Sequence, residues 1–291
     1  MNVGVLTWNA SSFCSSQLIC AAQRRGVNTF TFNFNQLVAR VGYRPHVSEE
    51  YEDLTEKADA IIVRPISRRS LEDIIFRINL LHKLKRAGVK IINPPEAIER
   101  SVDKYNSLVL LEESGLPVPR TAVTENSVDA LNAFYELKGD VIVKPLFGSR
   151  GLGMMRVSNP DEATRVFRNL AFQRQVIYIQ EFIPHDNYDI RAFVLGGSVL
   201  ASEKRVARSW KTNVSQGAHP EYIKLDSSME DIAVKAVEVI GCEVAGVDIV
   251  EGPEGPFIVE VNSQPGWRGL QSVTQINIAE AIMDYVISKI R

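Results

Sequence analysis

The first third of the chain alternates short apolar runs with stretches whose apolar residues recur at helical spacing. Because strands that alternate with helices build parallel sheets, this pattern predicts a small parallel α/β lobe. Pro94 and Pro95 end the lobe and begin a helix, since proline is favoured in a first helical turn. The predicted strands are residues 2–7, 27–34, 58–63 and 89–93, and the predicted helices are 15–25 and 70–87.

The pattern changes after residue 95, where helices and β-rich runs no longer alternate one by one. This order predicts an α+β arrangement of two lobes that face one another, preceded by the α/β lobe. We therefore expect three lobes, at residues 1–94, 95–180 and 181–291. The predicted helices here are 104–113, 161–174, 228–240 and 276–290, and the β-rich runs are 187–204 and 244–262.

Two acidic residues occupy a predicted hairpin that turns about Glu254. In this register Asp248 lies opposite Glu260, and Asn262 shares their face because strand side chains alternate. Two opposed carboxylates repel, and a divalent cation removes that penalty. Two carboxylates and one amide are hard oxygen ligands that suit Mg²⁺. The alternative is an exposed hairpin with scattered acids, since acid pairs on hairpins are common.

A lysine ends another β-rich run, and three glycines follow it. Lys144 precedes Gly148, Gly151 and Gly153 in a turn that leads to a second β-rich run. Glycines let a backbone approach phosphate closely and direct its N–H groups at the oxygens. The spacing matches neither a Walker P-loop nor a dinucleotide-binding fingerprint. The alternative is an ordinary glycine hairpin beside a surface lysine.

Composition narrows the classes of partner. The chain has 291 residues and a formal net charge of −2, which predicts neither nucleic-acid nor membrane binding. The amino terminus lacks the basic and apolar regions of a signal peptide, and no run is long enough to span a membrane. Cys14, Cys20 and Cys242 show no disulfide or zinc spacing. These features favour a reducing, cytoplasmic location.

Five motifs in one order along nearly the whole chain resemble the ATP-grasp superfamily, and within it the RimK-like α-L-glutamate ligases. The resemblance implies an ATP-grasp fold, α/β and α+β in class, with an amino-terminal parallel α/β (pre-ATP-grasp) lobe. The motifs are Asp103-Lys104, the Lys144 strand with its glycine loop, Gln180-Glu181-Phe182-Ile183, Asp189-Ile190-Arg191, and Asp248 with Glu260-Val261-Asn262.

The resemblance also implies a role for each matching residue. Lys104 and Lys144 hold the phosphates of ATP, and Gly148, Ser149, Gly151 and Gly153 form a lid. Glu181 and Phe182 receive adenine, Asp189 contacts ribose, and Asn213 faces the phosphates and the acceptor. Gln180, Ile183 and Lys211 also belong to the nucleotide site. Arg191 and Arg205 are the catalytic cations that stabilise an acyl phosphate. Asp248, Glu260 and Asn262 bind two Mg²⁺ or Mn²⁺ ions.

Some of these residues have simpler readings. Lys104 alone is more often a charge on a helix surface, and Arg205 one on a strand surface. Asp189 and Arg191 point the same way on one strand and form an ion pair in the simplest reading. The four histidines (His46, His82, His185 and His219) show no ligand spacing and are interpreted as structural.

The implied reaction joins a carboxylate to an amine. ATP converts the carboxylate to an acyl phosphate, and the amine of L-glutamate then displaces phosphate. The segment 210–217 and the run 260–271 resemble the branch that adds glutamate to a tetrahydromethanopterin coenzyme. Trp210-Lys211-Thr212 departs from the ribosomal-protein branch, which has an arginine-serine step there. The expected acceptor is therefore a carboxylate-bearing small molecule, and the expected assembly is a homodimer or homotetramer.

Other functions stay open at this point. A ribosomal-protein carboxyl terminus, a deazaflavin coenzyme and an amino-acid carrier protein are alternative acceptors. A nucleotide-binding protein without turnover is the alternative outside the class, although intact metal ligands argue against it. A dinucleotide-dependent oxidoreductase is disfavoured because residues 7–12 contain no glycine cluster.

Overall fold

The computed structural model describes residues 1–66, 70–146, 148, 151–214 and 217–290. A parallel sheet of order β2-β1-β6-β7 forms the first lobe, with apolar clusters on both of its faces. This confirms the predicted parallel α/β lobe. Its elements are β1 (Asn2–Leu6), α1 (Phe13–Arg24), β2 (Asn28–Phe32), β3 (Leu37–Ala39), β4 (Val47–Glu49), β5 (Glu52–Asp53), α2 (Leu54–Lys57), β6 (Ala60–Val63), α3 (Leu71–Arg86) and β7 (Lys90–Ile92).

The second region carries an antiparallel sheet of order β10-β9-β11-β8. Helices α6 and α7 cover one face of it, where Phe134 and Phe167 are fully buried. Its elements are α4 (Pro95–Val102), α5 (Lys104–Glu113), β8 (Thr121–Thr124), α6 (Ser127–Glu136), β9 (Val141–Lys144), β10 (Met155–Val157), α7 (Pro160–Phe172) and β11 (Ile177–Glu181).

The third region carries a five-stranded antiparallel sheet of order β14-β13-β12-β15-β16. One face packs on α8: Ile190, Ala192 and Val194 of β12 lie in a cluster with Ala233 and Val237. The alternate residues of β12 therefore point to the opposite face. The elements are β12 (Tyr188–Leu195), β13 (Ser198–Val206), β14 (His219–Tyr222), α8 (Ser227–Ile240), β15 (Val244–Gly252), β16 (Gly255–Asn262), α9 (Arg268–Val273) and α10 (Ile278–Ile290).

The first and third regions are joined by a buried side chain. Asn93 is 1% exposed, its amide nitrogen donates to the carbonyl of Val244 at 2.7 Å, and its amide oxygen accepts from the backbone N–H of Glu243 and Val244. Helix α10 also returns to pack against α1. The boundaries predicted at residues 94 and 180 stay predictions. Within the described part of the chain, no helix is long and apolar enough to cross a membrane.

Candidate active site

The face of the five-stranded sheet opposite α8 presents a row of charged residues. Arg191 on β12 pairs in register with Asp248 on β15 and with Glu203 on β13, and Asp248 pairs with Glu260 on β16. Asp248 and Glu260 are thus opposite each other, as predicted. The strands of the hairpin extend as far as Gly252 and Gly255, which pair with each other. The turn therefore consists of residues 253 and 254, at the predicted Glu254.

Arginines neutralise the buried acid of this row. Arg191 donates to both oxygens of Asp248, with Nε–Oδ1 and Nη2–Oδ2 distances of 2.7 Å. Arg205 makes a two-point ion pair with Asp189 and reaches Asp248 Oδ2 at 3.2 Å. Burial raises the pKa of Asp248, but Arg191 and Arg205 outweigh it and hold the pKa below its usual value. Asp248 is therefore ionised at neutral pH.

These pairs change how two expectations are read. The simple reading that Asp189 pairs with Arg191 is wrong, since Asp189 pairs with Arg205. The repulsion between Asp248 and Glu260, from which the metal site was predicted, is already reduced by protein cations beside both acids, and the metal site stays a prediction. Lys104 Nζ lies 3.6 Å from Glu260 Oε1, on the side away from Arg191.

The three predicted metal ligands nevertheless form a compact set of donors. Asn262 Nδ2 lies 3.4 Å from both Asp248 Oδ2 and Glu260 Oε2. The Glu260 side chain is 27% exposed, so it opens toward the cleft. The amide nitrogen faces the acids here, so the amide of Asn262 would have to turn over for all three residues to offer Mg²⁺ or Mn²⁺ the hard oxygen ligands that these ions take.

Two lysines face this row from the other side of the cleft. Lys144 ends β9 and is 9% exposed, so the reading of it as a surface lysine is wrong. Its Nζ donates to Gln180 Oε1 at 2.5 Å, and burial lowers its pKa to about 8. Lys104 begins α5, which Asp103 caps, and its Nζ donates to the carbonyl of Gly148 at 2.6 Å. Both lysines are positioned to meet phosphate oxygens.

The segment after β11 builds an aromatic wall. Arg156 lies over the Phe182 ring at 3.6 Å, and Trp210 meets that ring edge-on at 6.4 Å. Glu181 is held by Arg120, which donates to it from its backbone N–H and its guanidinium at 2.7 Å. Gln180, predicted as part of the nucleotide site, lines the cleft, and its side chain bonds Lys144, Thr121 and Tyr178 and so positions the lysine.

A cleft of about 900 Å³, including open solvent, separates the two sheets. Arg205 is buried beneath Asp189 and Asp248 and does not line it, so a direct contact with substrate has no support in the structure. Arg191, Gly153 and Asn262 also do not line it, and Ser149 lies outside the described residues. Among the predicted residues, the cleft is lined by Lys104, Lys144, Gly148, Gly151, Gln180, Glu181, Phe182, Ile183, Asp189, Lys211, Asn213, Asp248 and Glu260.

The glycine turn touches the acceptor side of the cleft. Gly151 has φ +69°, and a β-carbon there would collide with Asn213 Oδ1. Gly153 has φ +78° and faces Pro145 instead. Glycine is therefore required at 151 by the backbone conformation and by the close approach of Asn213.

Sequence analysis missed several apolar residues of the cleft. Ile142 lies two positions from Lys144, and Val250 lies two positions from Asp248. Strand alternation therefore offered a signal from which both residues could have been predicted. Val259 lines the cleft because a β-bulge opposite Asp248 and Ile249 turns it inward, which no simple pattern predicts. His185, interpreted as structural, also lines the cleft, and burial lowers its pKa.

Comparisons with known proteins agree with this geometry. A family model described as the RimK-like ATP-grasp domain matches residues 101–286. The tetrahydromethanopterin:α-L-glutamate ligase of Methanosarcina acetivorans is 32% identical over 98% of both chains. That of Methanocaldococcus jannaschii is 33% identical over 83% of both. A probable α-L-glutamate ligase of Legionella pneumophila is 34% identical over 72% of this chain and 71% of its own.

Solved structures show the same fold. The ATP-grasp ligase PsnB, complexed with minimal precursor, Mg and ADP, superposes with a TM-score of 0.78 at 19% identity, covering 100% of this chain and 97% of its own. A RimK domain protein from Sphaerobacter thermophilus gives a TM-score of 0.77 at 21% identity, covering 98% and 99%. The predicted ATP-grasp fold is confirmed, and the chain belongs to the RimK-like ATP-grasp family.

Proposed function

We propose that the protein is an ATP-dependent ligase that joins L-glutamate to the carboxylate of a tetrahydromethanopterin-type coenzyme through an acyl phosphate. The observation that carries the proposal is the pair Asp248 and Glu260, which faces Lys104 and Lys144 across one cleft. The names of the relatives that span most of the chain support glutamate and the pterin.

Each side of the cleft has its own task. Phe182, Ile183 and Val250 offer an apolar surface to adenine, and the two lysines bind the phosphates as point charges. Asp248, Glu260 and Asn262 would hold two Mg²⁺ ions, which neutralise charge on the transferred phosphoryl group when bound. The set of lysines and metal ligands around one space favours phosphoryl transfer.

The chemistry then needs few protein groups. An acceptor carboxylate oxygen attacks the γ-phosphorus and ADP leaves. The glutamate nitrogen attacks the acyl carbon, the C–O bond to phosphate breaks, and the nitrogen loses its proton. Arg191 lies behind Asp248, holds both of its oxygens, and adds positive charge beside the cleft where the acyl phosphate forms. Arg205 acts by positioning Asp189 and Asp248 from below.

The local charge favours a small anionic acceptor. The net charge of −2 supplies no broad basic surface for docking on ribosome components, while Arg191, Lys211 and Arg268 are local cations. Trp210 adds an aromatic surface at the cleft that suits a pterin ring.

Mass spectrometry of the products tests the proposal. The enzyme is incubated with ATP, Mg²⁺, L-glutamate and a reduced methanopterin, and the product gains the mass of a glutamate residue only when ATP is present. Parallel reactions contain a deazaflavin coenzyme, a ribosomal protein or an amino-acid carrier protein. A product with one of these and none with the pterin overturns the acceptor, and no ADP release with any of them overturns the ligase itself.

A further inference from the structure

The loop that follows the predicted metal ligands, residues 263–269, is surrounded by buried polar atoms without partners. Glu203 Oε2, Gln264 Nε2 and Trp267 Nε1 are buried and make no hydrogen bond to any described residue. Leaving one such atom unpaired costs about 1–3 kcal/mol, so three around one loop indicate that a ligand completes them.

A buried cation borders the same loop. Arg64 follows β6, is 8% exposed, and lies over the Trp267 ring at 4.7 Å. Its Nη2 donates to the carbonyl of Pro265 at 2.9 Å, and no carboxylate in the described ranges pairs with it. Because a buried unpaired charge is strongly unfavourable, this guanidinium is suited to an anion. It also lies at the carboxyl edge of the parallel sheet, where α/β proteins bind ligands.

A buried acid, Glu203, borders the loop on its other side, and burial raises the pKa of its carboxyl. Glu203 is 2% exposed, and within the described residues it forms no ion pair even with Arg191, its neighbour in register. A β-carbon at Gly269 would stand 2.9 Å from Glu203 Oε2, so the absence of a side chain at 269 makes room for the carboxylate. This carboxylate is suited to a cation.

The loop also adjoins the reacting centre. A β-carbon at Gly246 would stand 3.2 Å from Pro265 Cβ and 3.5 Å from Arg191 Cδ, so Pro265 and Arg191 meet at one point. Glu203 lies on the strand next to that of Arg191, on the side away from Asp248 and Glu260. Neighbouring strands are about 4.8 Å apart. An amine bound there reaches an acyl phosphate at Arg191 from the side opposite the phosphoryl-transfer groups.

An α-amino acid carries both complementary charges on one carbon atom. We propose that the loop 263–269, Arg64 and Glu203 form the subsite for the amino-acid nucleophile: Arg64, with the N–H groups of Gln264 and Trp267, receives the α-carboxylate, and Glu203 receives the α-ammonium. The subsite rests on the proposed ligase function, because only an amine nucleophile needs a place beside Arg191.

Calorimetric titration of amino-acid analogues tests the subsite without the acceptor. The full-length enzyme, with Mg²⁺ and a non-hydrolysable ATP analogue, is titrated with L-glutamate, with glutarate, which lacks the ammonium, and with 4-aminobutyrate, which lacks the α-carboxylate. We expect saturable binding of L-glutamate and about ten- to hundredfold weaker binding of both analogues.

Paired variants assign each charge. Glu203→Gln lowers the affinity for L-glutamate by about ten- to hundredfold and leaves the affinity for glutarate unchanged. Arg64→Gln lowers the affinity for L-glutamate by the same amount and leaves the affinity for 4-aminobutyrate unchanged. Arg64→Lys keeps the charge and gives an intermediate loss if Arg64→Gln does not fold. Glu251→Gln, on the same sheet, and Arg100→Gln, whose arginine also donates to a carbonyl, are matched controls without effect.

Each other outcome overturns the subsite. Unchanged L-glutamate affinity in Glu203→Gln or Arg64→Gln means that these residues are only structural. The same affinity for all three ligands, or no binding of L-glutamate by the wild-type enzyme, means that the loop is not its site. The ligase proposal is tested by a separate measurement: it fails if the enzyme releases no ADP with any of the acceptors.

Discussion

Lys144 carries its charge in a setting that makes the charge sensitive to pH. Burial lowers its pKa to about 8, and the protonated amine is the form that binds phosphate. Lys144 is therefore mostly charged at pH 7 and becomes neutral as the pH rises through about 8. We expect the Kd for ATP, measured by calorimetry, to rise between pH 7 and pH 9.

Two variants make this expectation specific. Lys144→Arg keeps its charge across that range, because a guanidinium does not titrate there, and its ATP affinity stays flat with pH. Lys144→Ala lowers the affinity for ATP at every pH and lowers the turnover rate. A wild-type affinity that does not change between pH 7 and pH 9 would show that Lys144 does not bind phosphate.

Asp248 and Glu260 look equivalent in the sequence, but the structure separates their roles. Asp248 is 3% exposed and contacts Arg191 and Arg205, so Asp248→Asn leaves Arg191 without its anion and Arg205 with Asp189 alone. Breaking such buried pairs costs about 3–5 kcal/mol. Glu260 is partly exposed and lies 3.6 Å from Lys104, so Glu260→Gln costs under about 1 kcal/mol.

Urea unfolding and ADP release distinguish the two variants. We expect both to lose turnover, and only Asp248→Asn to lose most of its stability. The register of the acids was predictable from strand alternation alone. Their arginine partners were not, because pairing between β12 and β15 joins residues 57 positions apart and leaves no local pattern. Equal stability of the two variants would contradict the burial argument.

At the scale of elements, the glycine turn combines two requirements that can be separated. Gly151→Ala places an alanine at a positive φ and brings its β-carbon against the Asn213 side chain. Gly197→Ala, in the turn between β12 and β13, places an alanine at a φ of +87° but its β-carbon contacts no other residue that the structure describes. The backbone term alone costs about 1–2 kcal/mol. We expect both variants to lose similar stability, but only Gly151→Ala to raise the KM for ATP, by about tenfold or more.

Steady-state kinetics over a range of ATP concentrations measures that difference. A KM that changes equally in both variants would mean that strain, and not the contact with Asn213, governs the turn. The lysine and its glycines were visible in the sequence because they combine a rare spacing with a β-rich run. The contact with Asn213 was not, because it crosses between sheets.

Element length decided which parts of the fold were predictable. Strands β1, β6 and β7 are apolar runs that periodicity identifies. The sheet β3-β4-β5 was missed because its strands have three, three and two residues, too few for a period to show. Helix α6 was missed despite a legible signal: Asn126 caps it, and Ala130, Ala133 and Phe134 are buried at helical spacing.

At the scale of the whole molecule, the first region is joined to the catalytic sheet more closely than chain order suggests. Arg24 at the end of α1 and Arg25, which follows it, pair with Glu280 and Asp284 of α10 and place the carboxy-terminal helix on the amino-terminal lobe. The sequence divided the chain into consecutive lobes because a one-dimensional pattern cannot show a helix that returns. The structure therefore couples the parallel sheet to the row that carries Asp248.

Asn93 is the residue through which we expect this coupling to be measurable. Its side chain accepts from Glu243 and Val244 at the start of β15 and donates to the carbonyl of Ser263 at 2.5 Å, directly after the predicted metal ligand Asn262. Asn93→Ala leaves these buried groups unpaired, at about 1–3 kcal/mol for each. We expect lower stability in urea together with a raised KM for L-glutamate, because the loop 263–269 loses its anchor.

The matched control is Asn169→Ala, which removes an exposed amide on α7 and leaves both quantities unchanged. The KM for ATP separates a local effect from general loosening. The residues proposed to bind adenine and phosphate lie on other elements. Asn93→Ala therefore leaves the KM for ATP within about twofold, which corresponds to less than about 0.4 kcal/mol. If both KM values rise together, Asn93 supports the fold as a whole and the specific link between the parallel sheet and the loop does not exist.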